Sequence, residues 1–274
     1  MRKTLPAVVG VLILAMTLSG CGLMQTITEN AEKPTPTPTH SAAVVATQPE
    51  NIVTIPNGVI GTGTVRSSDG KTTGQLTITK TDHAILLGLK HFNSTDRDQL
   101  SLAFADSVIS ANRCPDDKFQ FAFGDPVGTH DATISEDMGL DPRSADPTFL
   151  KTFMVLRYPD ASMAKVNGCL EPIVARALIK WTVPDTHPNL VVKDSGAQPA
   201  ANGLVTTRGG TPFSYTTASG DTWSAIAARF GITANDLTYL NPIRYGNNSP
   251  GVAYFGQVLN LSKANRGNSE SRHP

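Results

Sequence analysis

From about Ile52 to Asp194 the apolar positions fall in short runs separated by turn-forming residues. The runs are Gly58 to Ser67, Gln75 to Thr81, Ala84 to Leu89, Leu100 to Ser107, Phe119 to Phe123, Phe149 to Tyr158, Ile173 to Val183 and Leu190 to Lys193. Gln75-Leu76-Thr77-Ile78-Thr79 puts apolar side chains on one face and polar ones on the other, with period two. Ile179, Trp181 and Val183 oppose Leu178, Lys180 and Thr182 in the same way. Ser68-Asp69-Gly70-Lys71 supplies a turn with a glycine free to take positive φ. Ile173 to Leu178 is open to a second reading as a short helix, because Ala175 and Ala177 weaken the strand pattern. About eight short strands with turns between them predict an antiparallel β-sandwich over residues 52–194. Gly124 to Pro147, rich in Asp, Gly and Pro, reads as a long surface excursion.

The period changes near the C-terminus. Trp223, Ile226, Ala227 and Phe230 form one helical stripe, with Asp221 as the expected N-cap and Gly231 as the stop. Thr233 and Asp236 then have the spacing of a capping box, and Ile232 can staple onto Leu237. Leu240 continues that face and Asn241-Pro242 ends it. Strands over Phe213 to Thr217 and Gln257 to Leu261 complete a small α+β unit, β-α-α-β in order, within residues 211–264. Residues 195–210 read as a linker whose last residues, Leu204 to Thr207, can pair with Thr211 to Tyr215 as a hairpin. The polar tail, 265–274, is expected to be disordered.

At the other end, Arg2 and Lys3 precede an uncharged run from Leu5 to Leu18. Such a run spans about 21 Å as a helix, short of the roughly 30 Å hydrocarbon core, and reads as a signal peptide over residues 1–20. Leu18-Ser19-Gly20-Cys21 resembles the bacterial lipobox. That resemblance implies that Cys21 carries diacylglycerol and becomes the first mature residue, which predicts anchoring to the outer face of the cytoplasmic membrane. A Thr/Pro-rich tether, residues 21–51, follows. Its centre, Lys33-Pro34-Thr35-Pro36-Thr37-Pro38-Thr39, favours extended polyproline II.

Export changes the reading of the cysteines. With Cys21 acylated, Cys114 and Cys169 remain, an even pair in an oxidising compartment. Bridging them closes a loop of about 56 residues, worth about 4 kcal/mol on the chain-entropy account. The alternative is that one is a catalytic thiol.

The C-terminal residues resemble the LysM domain family. Tyr215 to Trp223, with its Gly220-Asp221-Thr222 turn, is similar to the opening strand and turn. Ile226 to Ile232 is similar to the first helix and stop, Leu237 to Asn241 to the second helix, and Gly256 to Leu261 to the closing strand. The resemblance implies non-catalytic binding of N-acetylglucosamine-containing glycan, chiefly peptidoglycan or chitin. It implicates Gly220, Asp221 and Thr222 on one side of a shallow groove and Asn241, Pro242 and Ile243 on the other. Phe255 stands where the family usually has a proline, and the loop from Pro242 to Phe255 is a few residues long for it.

Lys and Arg total 23, as do Asp and Glu, so the formal charge is zero and nucleic acid is not an expected partner. No His-Glu-x-x-His or Gly-x-Ser-x-Gly motif occurs, and Asp116-Asp117 and Glu136-Asp137 are adjacent acids rather than a pair facing across a cleft. His83, His91, His130 and His187 are scattered. Neither metal nor cofactor is expected, and the chain is read as a lipoprotein attached to peptidoglycan rather than an enzyme. Two alternatives stay open: a sandwich that binds a protein partner, and a wall hydrolase with an unsigned site in the sandwich.

Overall fold

The computed structural model describes residues 52–95, 99–110, 121–127, 132–140, 145–157, 171–242 and 253–267. The signal segment, the tether, Cys21, Cys114, Cys169, His130 and Ile243 lie outside the described residues. All the described residues belong to one compact unit, 44–274. Among them no helix is long and apolar enough to cross a membrane.

The chain is mainly β. Its first nine strands are β1 Gly58–Arg66, β2 Thr72–Lys80, β3 Ile85–Ser94, β4 Leu100–Ala105, β5 Phe121–Val127, β6 Ala132–Asp137, β7 Thr152–Arg157, β8 Ile173–Leu178 and β9 Lys180–Trp181. They form one curled antiparallel sheet in the order β5-β4-β7-β8-β1-β2-β3-β6, with β9 paired to β1. Two separate sheets were expected; the ladder instead runs unbroken from β5 to β6. Residues 173–178 are strand, which settles the helix-or-strand ambiguity, because their backbone pairs with β7 from Thr152↔Leu178 to Leu156↔Ile173.

The alternation in β2 is realised with Leu76 and Ile78 buried. In β3 the buried positions run Ile85, Leu87, Leu89 and then Phe92. That change of parity follows from a bulge: the β3–β6 register shifts between Leu89 and Phe92, and His91 takes φ 51°. The extra residue turns Phe92 inward and leaves His91 outside.

β4 is buried along its whole length. Leu100, Leu102 and Phe104 face the main core, while Ala103 and Ala105 join Ile109, Met154, Leu156 and Ile173 in a second cluster on the opposite face. Three bonds fold the chain after β4 over that face. Thr152 Oγ1 donates to Ser107 O (2.7 Å), Ile109 N donates to Thr152 Oγ1 (3.2 Å), and Arg176 Nη1 donates to Ile109 O (2.7 Å).

Two expectations are overturned here. The stretch 124–147 is not all surface excursion, because β6 lies within it and pairs with β3 from Leu86↔Asp137 to Phe92↔Ala132, burying Ile134. Leu190 to Lys193 is not a strand; Leu190 and Val192 pack on the C-terminal core instead.

The C-terminal part contains β10 Leu204–Arg208, β11 Thr211–Thr216, α1 Trp223–Arg229, α2 Ala234–Leu240 and β12 Val258–Asn260. Its sheet has the order β10-β11-β12. The stretch read as a linker is held along its first half. Ser195 N donates to Arg229 O (3.1 Å), and Arg229 reaches back to Asp194 (2.8 Å) and to the carbonyls of Ala201 (2.9 Å) and Gly203 (3.0 Å).

This module is docked on the curled sheet by buried polar contacts. Asp146 caps a short 3-10 turn, Pro147–Phe149, by accepting from Thr148 N, and also accepts from Arg266 Nη1 (3.2 Å) and Thr186 Oγ1 (2.6 Å). Arg266 further donates to Asp146 O (2.5 Å) and Tyr239 O (2.7 Å). His187 stacks on Tyr239 with ring centroids 3.6 Å apart.

Candidate functional site

The turn between β11 and α1 is built around one carboxylate. Asp221 is 7% exposed and does not cap α1. Thr222 does so, its Oγ1 accepting from Ala225 N at 3.3 Å. The expected cap is displaced by one residue because Asp221 is already engaged. Its Oδ2 accepts from Tyr215 Oη (2.5 Å) and Ala218 N (2.7 Å), and its Oδ1 from Asn202 N (2.8 Å).

Burial opposes ionisation of Asp221, but the bonds from Tyr215 and the backbone amides outweigh it and hold the carboxyl below the usual range. Burial, together with the bond to Asp221, pushes the Tyr215 hydroxyl up to about 12. Asp221 therefore enters the turn as an internal brace. Gly220, at φ 82°, and Thr222 are the exposed members.

On the other side, Asn241 is 2% exposed. Its amide donates to Leu237 O (2.9 Å) and Asn260 O (3.0 Å), and its Oδ1 accepts from Asn260 N (2.7 Å), which ties the end of α2 to β12. Pro242 is half-buried. Trp223 and Phe230 are core residues, at 2% and 0% exposure. The capping box at Thr233 and Asp236 is formed as expected, and Gly231 takes φ 67° at the end of α1.

The structure adds a feature that the sequence reading treated only as a departure. The turn Tyr254 to Gln257 is pinned to the end of β11. Thr217 N donates to Gln257 O (2.9 Å), Gly256 N donates to Thr217 O (3.0 Å), and Thr217 Oγ1 donates to Tyr254 O. Its tip carries Tyr254 and Phe255, 39% and 76% exposed. An aromatic side chain so exposed on a well-bonded turn offers a flat apolar face to a ligand. The signal in the sequence was the absence of the proline itself.

The candidate surface thus combines the exposed turn residues Gly220 and Thr222 with the aromatic side chains of Tyr254 and Phe255. Such a surface suits a neutral sugar, which presents hydroxyls and amides to the polar groups of a turn and ring C–H to an aromatic. Among the described residues no group of three or more His, Cys, Asp or Glu side chains could hold a metal ion. His83 and His91 are exposed, while His187 is buried against Tyr239.

No curated protein and no solved structure matches the chain. Residues 215–262, from the buried Tyr215 to the strand that closes the unit, match the LysM domain family, whose presence generally indicates binding of peptidoglycan or chitin-type N-acetylglucosamine glycans, and the chain therefore contains a LysM domain.

Proposed function

We propose that this protein is a non-catalytic anchor of the bacterial cell envelope, acylated at Cys21 and holding peptidoglycan through its LysM domain. The Thr/Pro tether spaces the folded unit from the membrane, and the curled sheet is displayed at the wall. The observation that carries the reading is the surface at Gly220, Thr222, Tyr254 and Phe255, an exposed turn beside an aromatic tip within the span that matches the LysM family. Labelling with a fatty-acid analogue marks the wild-type chain and not Cys21→Ser under this reading.

Phe255→Ala tests the glycan surface. Its ring is largely in solvent, so folding is unaffected, whereas loss of one aromatic contact of about 1 kcal/mol weakens peptidoglycan binding about fivefold. Unchanged binding by Phe255→Ala removes the aromatic wall from the account.

A further inference from the structure

A cavity of about 260 Å³ lies where the LysM domain docks on the curled sheet. Its wall includes Asp146, Lys151 and Trp181 from the sheet side and Asp185, Lys263 and Arg266 at the junction. Both wall carboxylates are committed. Asp146 accepts from Thr148, Thr186 and Arg266, and Asp185 accepts from Lys263 Nζ (2.5 Å) and His187 N (3.1 Å). Arg266 is committed too, through Asp146, Thr148 and the Tyr239 carbonyl.

Lys151 is different. Its ammonium donates to a carbonyl, Thr148 O at 2.8 Å, and a lysine has two further donors to place. The side chain is exposed at the cavity mouth; desolvation by the wall and the nearby charge of Arg266 lower the ammonium's pKa, although Asp146 and Asp106 act the other way. Among the described residues the wall carries three cations and two carboxylates, with Asp106 a further acid near Lys151.

The same wall carries an indole of fixed orientation. Trp181 Nε1 donates to Leu150 O at 2.8 Å, and a Cβ at Gly61 would stand only 2.9 Å from the ring. A cation with donors to spare and a fixed aromatic plane in one small cavity form a recognition pair for a molecule with an anionic end and an apolar body. The volume lies below that of pockets for drug-sized ligands, so the fitting ligand has the size of a dipeptide or a single sugar.

We propose that this junction cavity binds a small organic carboxylate, with the acid on Lys151 and the body against Trp181. The site is separate from the glycan surface, and it rests on the wall-binding reading only for the choice of probes. A bacterial wall offers two such acids, the free end of a stem peptide and the acid of a muramic sugar. In either case the cavity would report wall chemistry that a neutral glycan surface does not read.

Isothermal titration of the unit 44–274 tests this with N-acetyl-D-alanyl-D-alanine, its methyl ester, and N-acetylmuramic acid. At least one acid binds with a Kd of about 1 mM or tighter, the ester binds at least about tenfold more weakly, and the acid that binds identifies the source. Lys151→Met weakens acid binding about tenfold while the melting temperature and co-sedimentation with peptidoglycan stay as in the wild type. Two results overturn the proposal: neither acid binds better than the ester, or Lys151→Met and Lys151→Gln both bind the acid as the wild type does. Because peptidoglycan co-sedimentation is read separately, failure here is distinguishable from failure of the glycan assignment.

Discussion

In the curled sheet the main core is apolar, with Leu76, Ile78, Leu87, Leu89, Phe92, Phe104 and Phe153 fully buried and backbone polarity absorbed by the strand ladder. In the LysM domain a smaller apolar cluster around Tyr215, Trp223, Phe230, Leu237 and Leu240 is laced by buried polar side chains. Asp221 braces the first turn, Asn241 and Asn260 tie α2 to β12, and Arg229 holds the entering chain. A unit this small buries too little apolar area to fix its loops by packing alone. Satisfied polar ties place them instead, and an exposed turn such as Gly220 to Thr222 stays rigid enough to bind. The comparison predicts that the sheet is most sensitive to lost volume and the LysM domain to lost polar partners.

Arg229→Met is the most damaging of the polar changes. It leaves Asp194 and the carbonyls of Ala201 and Gly203 without their shared donor, at a cost of about 3 kcal/mol. Urea unfolding followed by tryptophan fluorescence checks this through Trp223, which lies in the affected core. A loss under about 1 kcal/mol would mean that packing by Leu190 and Val192, not the guanidinium, holds the segment.

Asp146→Ala acts at the junction between the two regions. It leaves the buried guanidinium of Arg266 without its carboxylate partner and removes the acceptor of Thr186, costing about 2 kcal/mol. Because the damage falls between two cores, the single thermal transition should split, with the LysM domain separating from the sheet. A variant that still melts in one transition at the wild-type temperature would show that stacking of His187 on Tyr239 suffices for docking.

The smallest effect is a pH dependence at the same junction. Burial holds His187 below its ordinary value of about 6.5, against the opposing pull of Asp236 and Asp146, so the docked ring is neutral. As pH falls through about 6.5 the unfolded chain takes up a proton that the docked ring refuses. Stability therefore falls from about pH 6.5 toward the lower folded value. Urea midpoints at pH 7.5 and 5.5 should differ in that direction, and His187→Phe, which keeps a ring on Tyr239, should flatten this part of the difference.

What could be read from the sequence tracks the distance over which each contact acts. The stripe of α1, the Thr233–Asp236 capping box and the alternation of β2 depend on neighbours a few residues apart, and they stand as expected. β6 was missed because Ala132 to Asp137 carries little apolar pattern and is fixed by pairing to β3, about fifty residues earlier in the chain. Asp221 looked like a cap because Tyr215 and Asn202, which take its carboxylate, lie outside the helical window. The hold on residues 194–203 depends on Arg229, and the junction on Asp146 with Arg266, 120 residues apart. At the candidate surface, the positions of Gly220 and Thr222 were legible from the turn. The aromatic tip at Phe255 showed only as a missing proline, since nothing in the local pattern shows that Thr217 pins its loop beside β11.

The central claim is that the LysM domain holds peptidoglycan through neutral contacts and without cleaving it. The most direct measurement is co-sedimentation of the unit 44–274 with purified sacculi at about 0.3 M salt, where exposed charges more than about 6 Å apart are largely screened. Recovered sacculi are analysed for released muropeptides in the same experiment. The account predicts protein in the pellet at that salt, less of it with Phe255→Ala, and no muropeptides in solution. Folded protein that stays in the supernatant, or sacculi that shed muropeptides, would contradict it.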